Sequence, residues 1–445
     1  MDALDFLLLP VYFGIFYLLA LQIAARNRSN PLYSMYYMRG INYKFIGALG
    51  FAFIYLFYYK GGDSINFYYT VSPLFKLFFT NPTAYCTFVF SNNPWYPAEC
   101  VMEVCRHQAY YLLRGTPTLT TIRVASVLDM FCFDSYFALT LCFAFISYQF
   151  QWRMFLLFTS IYPKLHKRFA MAFLMIPSVL FWGSGLSKDS IMIGAIMFFI
   201  YCYYNLVIRK RNILKYLPLL VVTGFLITLI RGFILFTIVP CLFLMTVTYY
   251  RNAIGSSFLR FLIGPVMIIS AVGGSLLFLR GVGSEVQSYS IESLQTKAEG
   301  FKSWHQYLGE TQGGSSYSLG GDVSYTGGGI LRQAPMAILV TLYGPFPWQI
   351  RSPVMLLSGI ESLIFVYITL TMLSNKRIYS LISILAKDHI IAFCVPFALI
   401  LGVAIGMTSF NYGALVRYRI PILPFFASAL IIINYHLNNQ QVKPN

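Results

Sequence analysis

Six apolar segments of about 20 residues each decide most of what this chain can fold into: Leu4–Ala25, Arg123–Ile146, Lys188–Val207, Phe261–Leu279, Pro353–Leu373 and Ile390–Phe410. At 1.5 Å per residue, each spans a hydrocarbon core of about 30 Å, and backbone placed there must satisfy its own hydrogen bonds, which selects the α-helix. Shorter stretches at Phe45–Tyr59, Phe169–Gly183, Tyr216–Ile230, Phe233–Tyr250 and Ile420–Ile433 bring the expected spans to about eleven. The chain therefore reads as an all-α, polytopic integral membrane protein, one membrane domain over 1–445. A composition of 58% hydrophobic and 11% charged residues does not suit a water-soluble protein. Leu4–Ala25, flanked by Asp2 and Asp5 and without a small-residue cleavage site, reads as a first span rather than a signal peptide.

The net charge of +17 is distributed unevenly. Alternate gaps hold 18 of the 32 Lys and Arg residues, among them Lys44, Lys164, Lys167, Arg168, Arg209 and Arg251, against a single acid, Asp388. The other 14 bases accompany 14 acids, so the whole excess lies on one side of the predicted membrane. By the positive-inside rule this puts the N-terminus outside and the C-terminus in the cytoplasm of a bacterial plasma (inner) membrane. The excess thus marks topology, and a nucleic-acid partner is not expected. Membrane lipids are expected partners, with Lys164–Arg168 as an anchor for anionic headgroups.

Two long outside loops interrupt the spans. Residues 60–122 open with Gly61-Gly62-Asp63-Ser64 and continue in an amphipathic pattern suited to interfacial helices, with Trp95 and several tyrosines as belt residues. Residues 281–352 contain the Gly/Ser/Tyr-rich stretch 313–329, expected as a mobile loop. Cys86, Cys100 and Cys105 share the first loop and allow one disulfide with one thiol left over. No CxxC, HExxH or phosphate-binding glycine motif occurs, which argues against a zinc site and against an ATP-driven pump.

Ionisable residues placed where lipid makes them costly are candidates for function. Asp63, Lys188, Asp189, Arg231, Arg351, Arg417 and Arg419 all fall at predicted outer ends of spans. Carboxylate beside several guanidinium groups is equipment for binding phosphate or diphosphate next to a general base, because the arginine fork grips two oxygens and stays charged. Each has a structural reading as well. Asp63 is also a helix cap, Lys188-Asp189 a local ion pair, and Arg417 and Arg419 anchors that reach to headgroups. Arg231, between two apolar runs of about 14 residues, marks a tight hairpin or a buried charge. Asp129 and Asp134, about 140° apart on a continuous helix, cannot form one paired site and are expected to bond neighbouring helices. Glu361 sits two turns below the outer interface, where an arginine is its natural partner and a second carboxylate role is open.

Three stretches resemble known proteins. Tyr59-Lys60-Gly61-Gly62-Asp63-Ser64, after an early span and before a loop of interfacial helices, resembles the first external loop of the GT-C superfamily, membrane glycosyltransferases that use polyprenyl-phosphate-linked sugars. Arg417-Tyr418-Arg419-Ile420-Pro421-Ile422-Leu423-Pro424 is similar to a pattern near the last span of bacterial members. The stretch from Pro177 to Asp189 resembles one in O-antigen-polymerase-like proteins of polysaccharide assembly. The first resemblance implies that Asp63 is the general base and that Arg419, with Arg417, holds the lipid phosphate of a polyprenyl-linked sugar donor. The acceptor would be a hydroxyl of a glycan or lipid-linked acceptor. A polymerase would instead set Arg231, Arg351, Arg417 and Arg419 on two lipid diphosphates. The chain departs from the superfamily in an extra early span and in lacking an Asp-x-Asp or Asp-Glu pair, so no cofactor is expected and a divalent metal is not indicated. A transporter or flippase without chemistry is the competing class; it predicts midplane charges and discontinuous helices in repeated halves, and the sequence shows no repeat.

Overall fold

A computed structural model describes residues 3–91, 115–251, 327–375 and 378–439, together with Gly300, Ser303, Tyr317 and Leu319. The predicted span Phe261–Leu279, Trp95, Cys100, Cys105 and most of 281–326 lie outside these residues. Among the described residues all regular structure is helical, apart from a single bridge residue at Asn411. Seven helices are long and apolar enough to cross a membrane, or eight if a bent pair is counted as one span. Their surfaces expose Leu7, Leu18, Ile46, Val222, Phe225 and Tyr367, an apolar coat suited to hydrocarbon rather than water.

The helices are α1 (Ala3–Arg26), α2 (Met38–Phe53, extended by π-turns to Tyr33–Tyr58), α3 (Asp63–Thr80), α4 (Pro82–Phe90), α5 (Thr116–Asp129) and α6 (Tyr136–Ile161). There follow α7 (His166–Leu174), α8 (Pro177–Trp182), α9 (Lys188–Tyr203), α10 (Ile213–Tyr250), α11 (Gly327–Tyr343) and α12 (Pro353–Leu373). The last are α13 (Leu381–Lys387), α14 (His389–Ser409), α15 (Tyr412–Tyr418) and α16 (Leu423–Asn439). Helix α6 packs against α1, α2 and α9; α9 against α10; α10 against α14; and α14 against α11 and α16. Small residues permit the closest approaches: a Cβ on Gly406 would stand 2.5 Å from the Ala337 carbonyl oxygen.

Several expected spans are broken. Arg123–Ile146 is not one helix: α5 stops at Asp129, Phe133 and Asp134 take left-handed φ of 52° and 54°, and Ser135 caps α6. The helical angle between Asp129 and Asp134 therefore does not apply. Asp134 Oδ2 accepts from Ser72 Oγ at 2.9 Å, whereas among the described residues neither Asp129 carboxylate oxygen has a hydrogen-bond partner. Phe169–Gly183 divides into α7 and α8 with a break at Met175-Ile176. Tyr216–Ile230 and Phe233–Tyr250 run together as the 38-residue α10, broken at Arg231 (φ −150°, ψ 71°). Tyr216 packs against Tyr201 and the Tyr250 hydroxyl donates to the Val207 carbonyl, while Arg231 reaches Asp189. Both legs thus run along α9, and Arg231 sits at the fold of a helical hairpin.

The two ends of the bundle differ in character. One gathers Asp63, the start of α6, Asp189, Arg231 and Arg417. At the other, Arg209 bonds Ser160, Arg251 Nη1 donates to the Ala386 carbonyl at 2.9 Å, and Asp388 Oδ2 accepts from Tyr162 at 2.5 Å and from His436 at 2.8 Å. Lys44 corrects the expected charge placement. It does not lie in a gap but is fully buried near the middle of the Tyr33–Tyr58 helix, its Nζ donating to the Gly183 carbonyl at 2.6 Å.

Candidate functional site

The turn before α3 places the first candidate. Lys60, Gly61 and Gly62 have φ of 50°, 155° and 97°, a left-handed run that glycine accommodates and that turns the chain sharply from the Tyr33–Tyr58 helix into α3. A Cβ on Gly62 would also stand 3.1 Å from the Tyr55 ring. Gly62 itself is the N-cap residue, so Asp63 is the first residue of α3 and makes no cap bond. Its carboxylate favours the helix dipole and turns to Arg417, whose Nη1 lies 3.0 Å from Asp63 Oδ2. The Asp63 side chain remains 53% exposed.

Asp189 forms the inner half of the same network. Ser187 caps α9, its Oγ accepting from the Ser190 N–H at 3.2 Å, so that Asp189 occupies the first turn. Asp189 is fully buried; Arg417 Nε donates to its Oδ2 and Arg231 Nη2 stands 2.6 Å from its Oδ1. Burial of a carboxylate is tolerated because two guanidinium groups face it. The Arg231 guanidinium lies 4.5 Å from the Tyr418 ring centroid and that of Arg417 5.8 Å from Trp182. Lys188 does not pair with Asp189. Its Nζ donates to Thr118 Oγ1 at 2.7 Å and lies over Phe67, within electrostatic reach of Asp63, Asp189, Arg231 and Arg417.

Asp63 and Arg417 border a cleft of about 570 Å³, lined also by Arg351, Tyr55, Tyr59 and Trp182, with Gly61, Gly62, Ser352, Met355, Gly413 and Val416; Asp189, Arg231 and Lys188 stand behind this lining. Arg351 reaches it from the chain just before α12, which Ser352 caps through the Met355 N–H at 3.3 Å. Among the described residues Arg351 has no ion-pair partner, and its side chain is exposed. The lining combines a carboxylate, two guanidinium groups and an aromatic wall.

Arg419 and Glu361 lie elsewhere. Arg419 is fully buried; its Nη1 donates to the Thr341 carbonyl at 3.2 Å and to that of Gly344, and its Nη2 stands 3.2 Å from Glu361 Oε1. Glu361 Oε2 accepts the Ser178 N–H at 3.0 Å. The pair is a packed node between α8, α11, α12 and α15 and does not border the cleft. Positions 417 and 419 are about 200° apart on a helical turn, which sends one arginine to the cleft and the other into the core.

The structure thus brings together Asp63, Asp189, Arg231, Arg417 and Lys188, with Arg351 across the cleft. The aromatic wall of Tyr55, Tyr59 and Trp182 is the part that sequence reasoning missed; its signal was aromatic density immediately before the Gly-Gly-Asp turn and before Gly183. Among the described residues no group of three or more His, Cys, Asp or Glu side chains is placed to hold a metal ion. Compared with protein-family models, with curated proteins and with solved structures, the chain gives no match.

Proposed function

We propose that this protein is a membrane glycosyltransferase that moves a sugar or glycan from a polyprenyl (di)phosphate carrier to a hydroxyl acceptor at the outer face of a bacterial plasma membrane. The observation that carries this reading is the cleft lined by both the exposed carboxylate of Asp63 and the guanidinium of Arg351, which has no ion-pair partner among the described residues, with Arg417 between Asp63 and Asp189. Charge supports it. Among the described residues, Lys188, Arg231, Arg351 and Arg417 are four cations gathered at or behind the cleft with two carboxylates, Asp63 and Asp189, which leaves a surplus of two positive charges. Such a surplus at a span end is offset by an anion of matching charge, as a phosphate or diphosphate supplies. The basic residues at the other end of the bundle orient the cleft outward.

In this reading Asp63 takes the proton from the acceptor hydroxyl as its oxygen bonds the anomeric carbon. The bond from that carbon to the carrier phosphate breaks, and its electron pair leaves on the phosphate oxygen, where Arg351 and Arg417 receive the developing charge. Tyr55, Tyr59 and Trp182 offer faces on which a sugar ring packs. The test is transfer in proteoliposomes holding the purified protein and lipid-linked glycans from bacterial membranes. Loss of the carrier-linked sugar with a new glycosidic product supports the reading, a ladder of products identifying a polymerase; carriers left intact under every donor pool contradict it.

One observation favours a second reading, a transporter or lipid-linked-glycan flippase. Lys44 is buried near the middle of a span and bonded to the non-helical segment Gly183–Ser187, which feeds α9. Buried charges beside interrupted helices characterise substrate paths. Movement of labelled carrier across proteoliposomes without product would decide for it.

A further inference from the structure

We infer that Arg419 and Glu361 are positioning residues that hold Arg351 and Trp182 at their places on the cleft, and that neither contacts its ligand; the inference rests on the cleft being the anionic-carrier site.

The chain geometry leads from the node to the cleft along two routes. Along the first, Arg419 Nη1 holds the carbonyls of Thr341 and Gly344 at the end of α11. The Gly344 carbonyl also accepts Ser362 Oγ of α12 at 2.7 Å, and Ser362 Oγ lies 3.1 Å from Arg419 Nη2. Gly344 starts the short connection that delivers Arg351 and Ser352 to the cleft. Ile350, the residue before Arg351, is seated on α12 so closely that a Cβ on Gly359 would come within 2.5 Å of its side chain. Along the second, Glu361 Oε2 takes the Ser178 N–H at 3.0 Å and Ser358 Oγ bonds Ser178 Oγ at 2.9 Å. These bonds fix the start of α8, whose last residue, Trp182, lines the cleft.

One guanidinium therefore ties α11, α12 and α15, and its carboxylate partner ties α12 to α8. Because Arg419 stands two residues after Arg417 on the same backbone, the node fixes Arg417 relative to Arg351. A buried pair contributes little net stability against an apolar substitute. What it adds here is a defined geometry, since each bond to a carbonyl or hydroxyl has a direction that packing alone lacks.

The experiment measures binding of polyprenyl phosphate to the protein in nanodiscs, with thermal unfolding recorded for every variant. Wild type is expected to bind, and Arg351→Ala to bind at least tenfold more weakly; absence of binding by wild type would remove the cleft reading itself. Glu361→Gln separates the roles by sign. If Arg419 were a ligand, or if only charge mattered, removal of this acid would strengthen binding of an anion. The positioning role predicts weakening of tenfold or more. Glu361→Met with Arg419→Met removes both charges together and keeps the core apolar, and Ser362→Ala removes only one hydroxyl. Both are expected to bind more weakly while unfolding cooperatively. Wild-type affinity in the folded double variant and in Ser362→Ala, with Arg351→Ala still weakened, would overturn the inference and leave the cleft reading standing.

Discussion

Arg417 joins Asp63 to Asp189, its Nη1 standing 3.0 Å from Asp63 Oδ2 while its Nε donates to Asp189 Oδ2. Asp63 is more than half exposed and Asp189 is fully buried. One guanidinium thus anchors a solvent-facing carboxylate to the interior, from positions 354 residues apart in the chain. The outer contact is worth little to stability, as exposed ion pairs generally are; its value is orientation of the carboxylate at the cleft.

The inner contact predicts a stability effect. Asp189→Ala leaves Arg231 and Arg417 facing each other with no anion between them. A loss of about 3–5 kcal/mol is expected, the usual cost of removing one partner from a buried pair. Thermal unfolding in detergent measures it, and Asp189→Asn, which keeps hydrogen-bond acceptance, should lose less.

Gly62→Ala tests the turn that presents Asp63. The φ of 97° and the Tyr55 ring 3.1 Å from the new Cβ both oppose the methyl group. Destabilisation of about 1–3 kcal/mol follows for strain of this kind. Turnover should fall further than stability explains, because Asp63, the proposed base, moves with the turn.

Arg351→Ala should weaken binding of an anionic carrier lipid by about tenfold or more. Its unfolding temperature should stay at the wild-type value, since the side chain is exposed and no described carboxylate pairs with it. Equilibrium binding to polyprenyl phosphate in nanodiscs, set beside a melting curve, checks both halves.

Asp388 gives a pH dependence at the opposite end. Burial pushes its carboxyl up, but hydrogen bonds from His436, Tyr162 and the Ile391 N–H outweigh burial and hold it below the ordinary carboxylate value. A lowered folded-state pKa means that the contribution is present above the unfolded value of about 4 and is lost as pH falls through the folded value. Wild type should therefore lose stability on acidification below pH ~4 more steeply than Asp388→Asn. Urea unfolding at stepped pH reads the difference.

The helical membrane class was legible in the sequence because about 20 apolar residues admit few other structures. The cation at Arg231 showed equally well: one charge between two apolar runs must lie at a turn or against a counter-charge, and it does both. The break between α5 and α6 was hidden, because the apolar run of residues 130–133 carries the hydrophobic pattern between Asp129 and Asp134 and the deciding feature is the pair of left-handed residues Phe133 and Asp134. Lys44 was misplaced for a related reason. It precedes an apolar run and so resembles a flanking charge, yet the helix starts eleven residues earlier and the carbonyl it bonds belongs to residue 183. Arg417 and Arg419 look alike in sequence. Only the carbonyls of Thr341 and Gly344 and the carboxylate of Glu361, brought in by other helices, decide which arginine turns inward.

The most direct measurement is the rate of glycosyl transfer by Asp63→Asn at saturating lipid-linked donor in proteoliposomes. The substitution keeps size and a hydrogen-bonding oxygen for Arg417 while removing the proposed base. The account predicts a fall of about 10²–10⁴-fold with unchanged unfolding temperature. Turnover within twofold of wild type would contradict it and remove Asp63 from the chemistry.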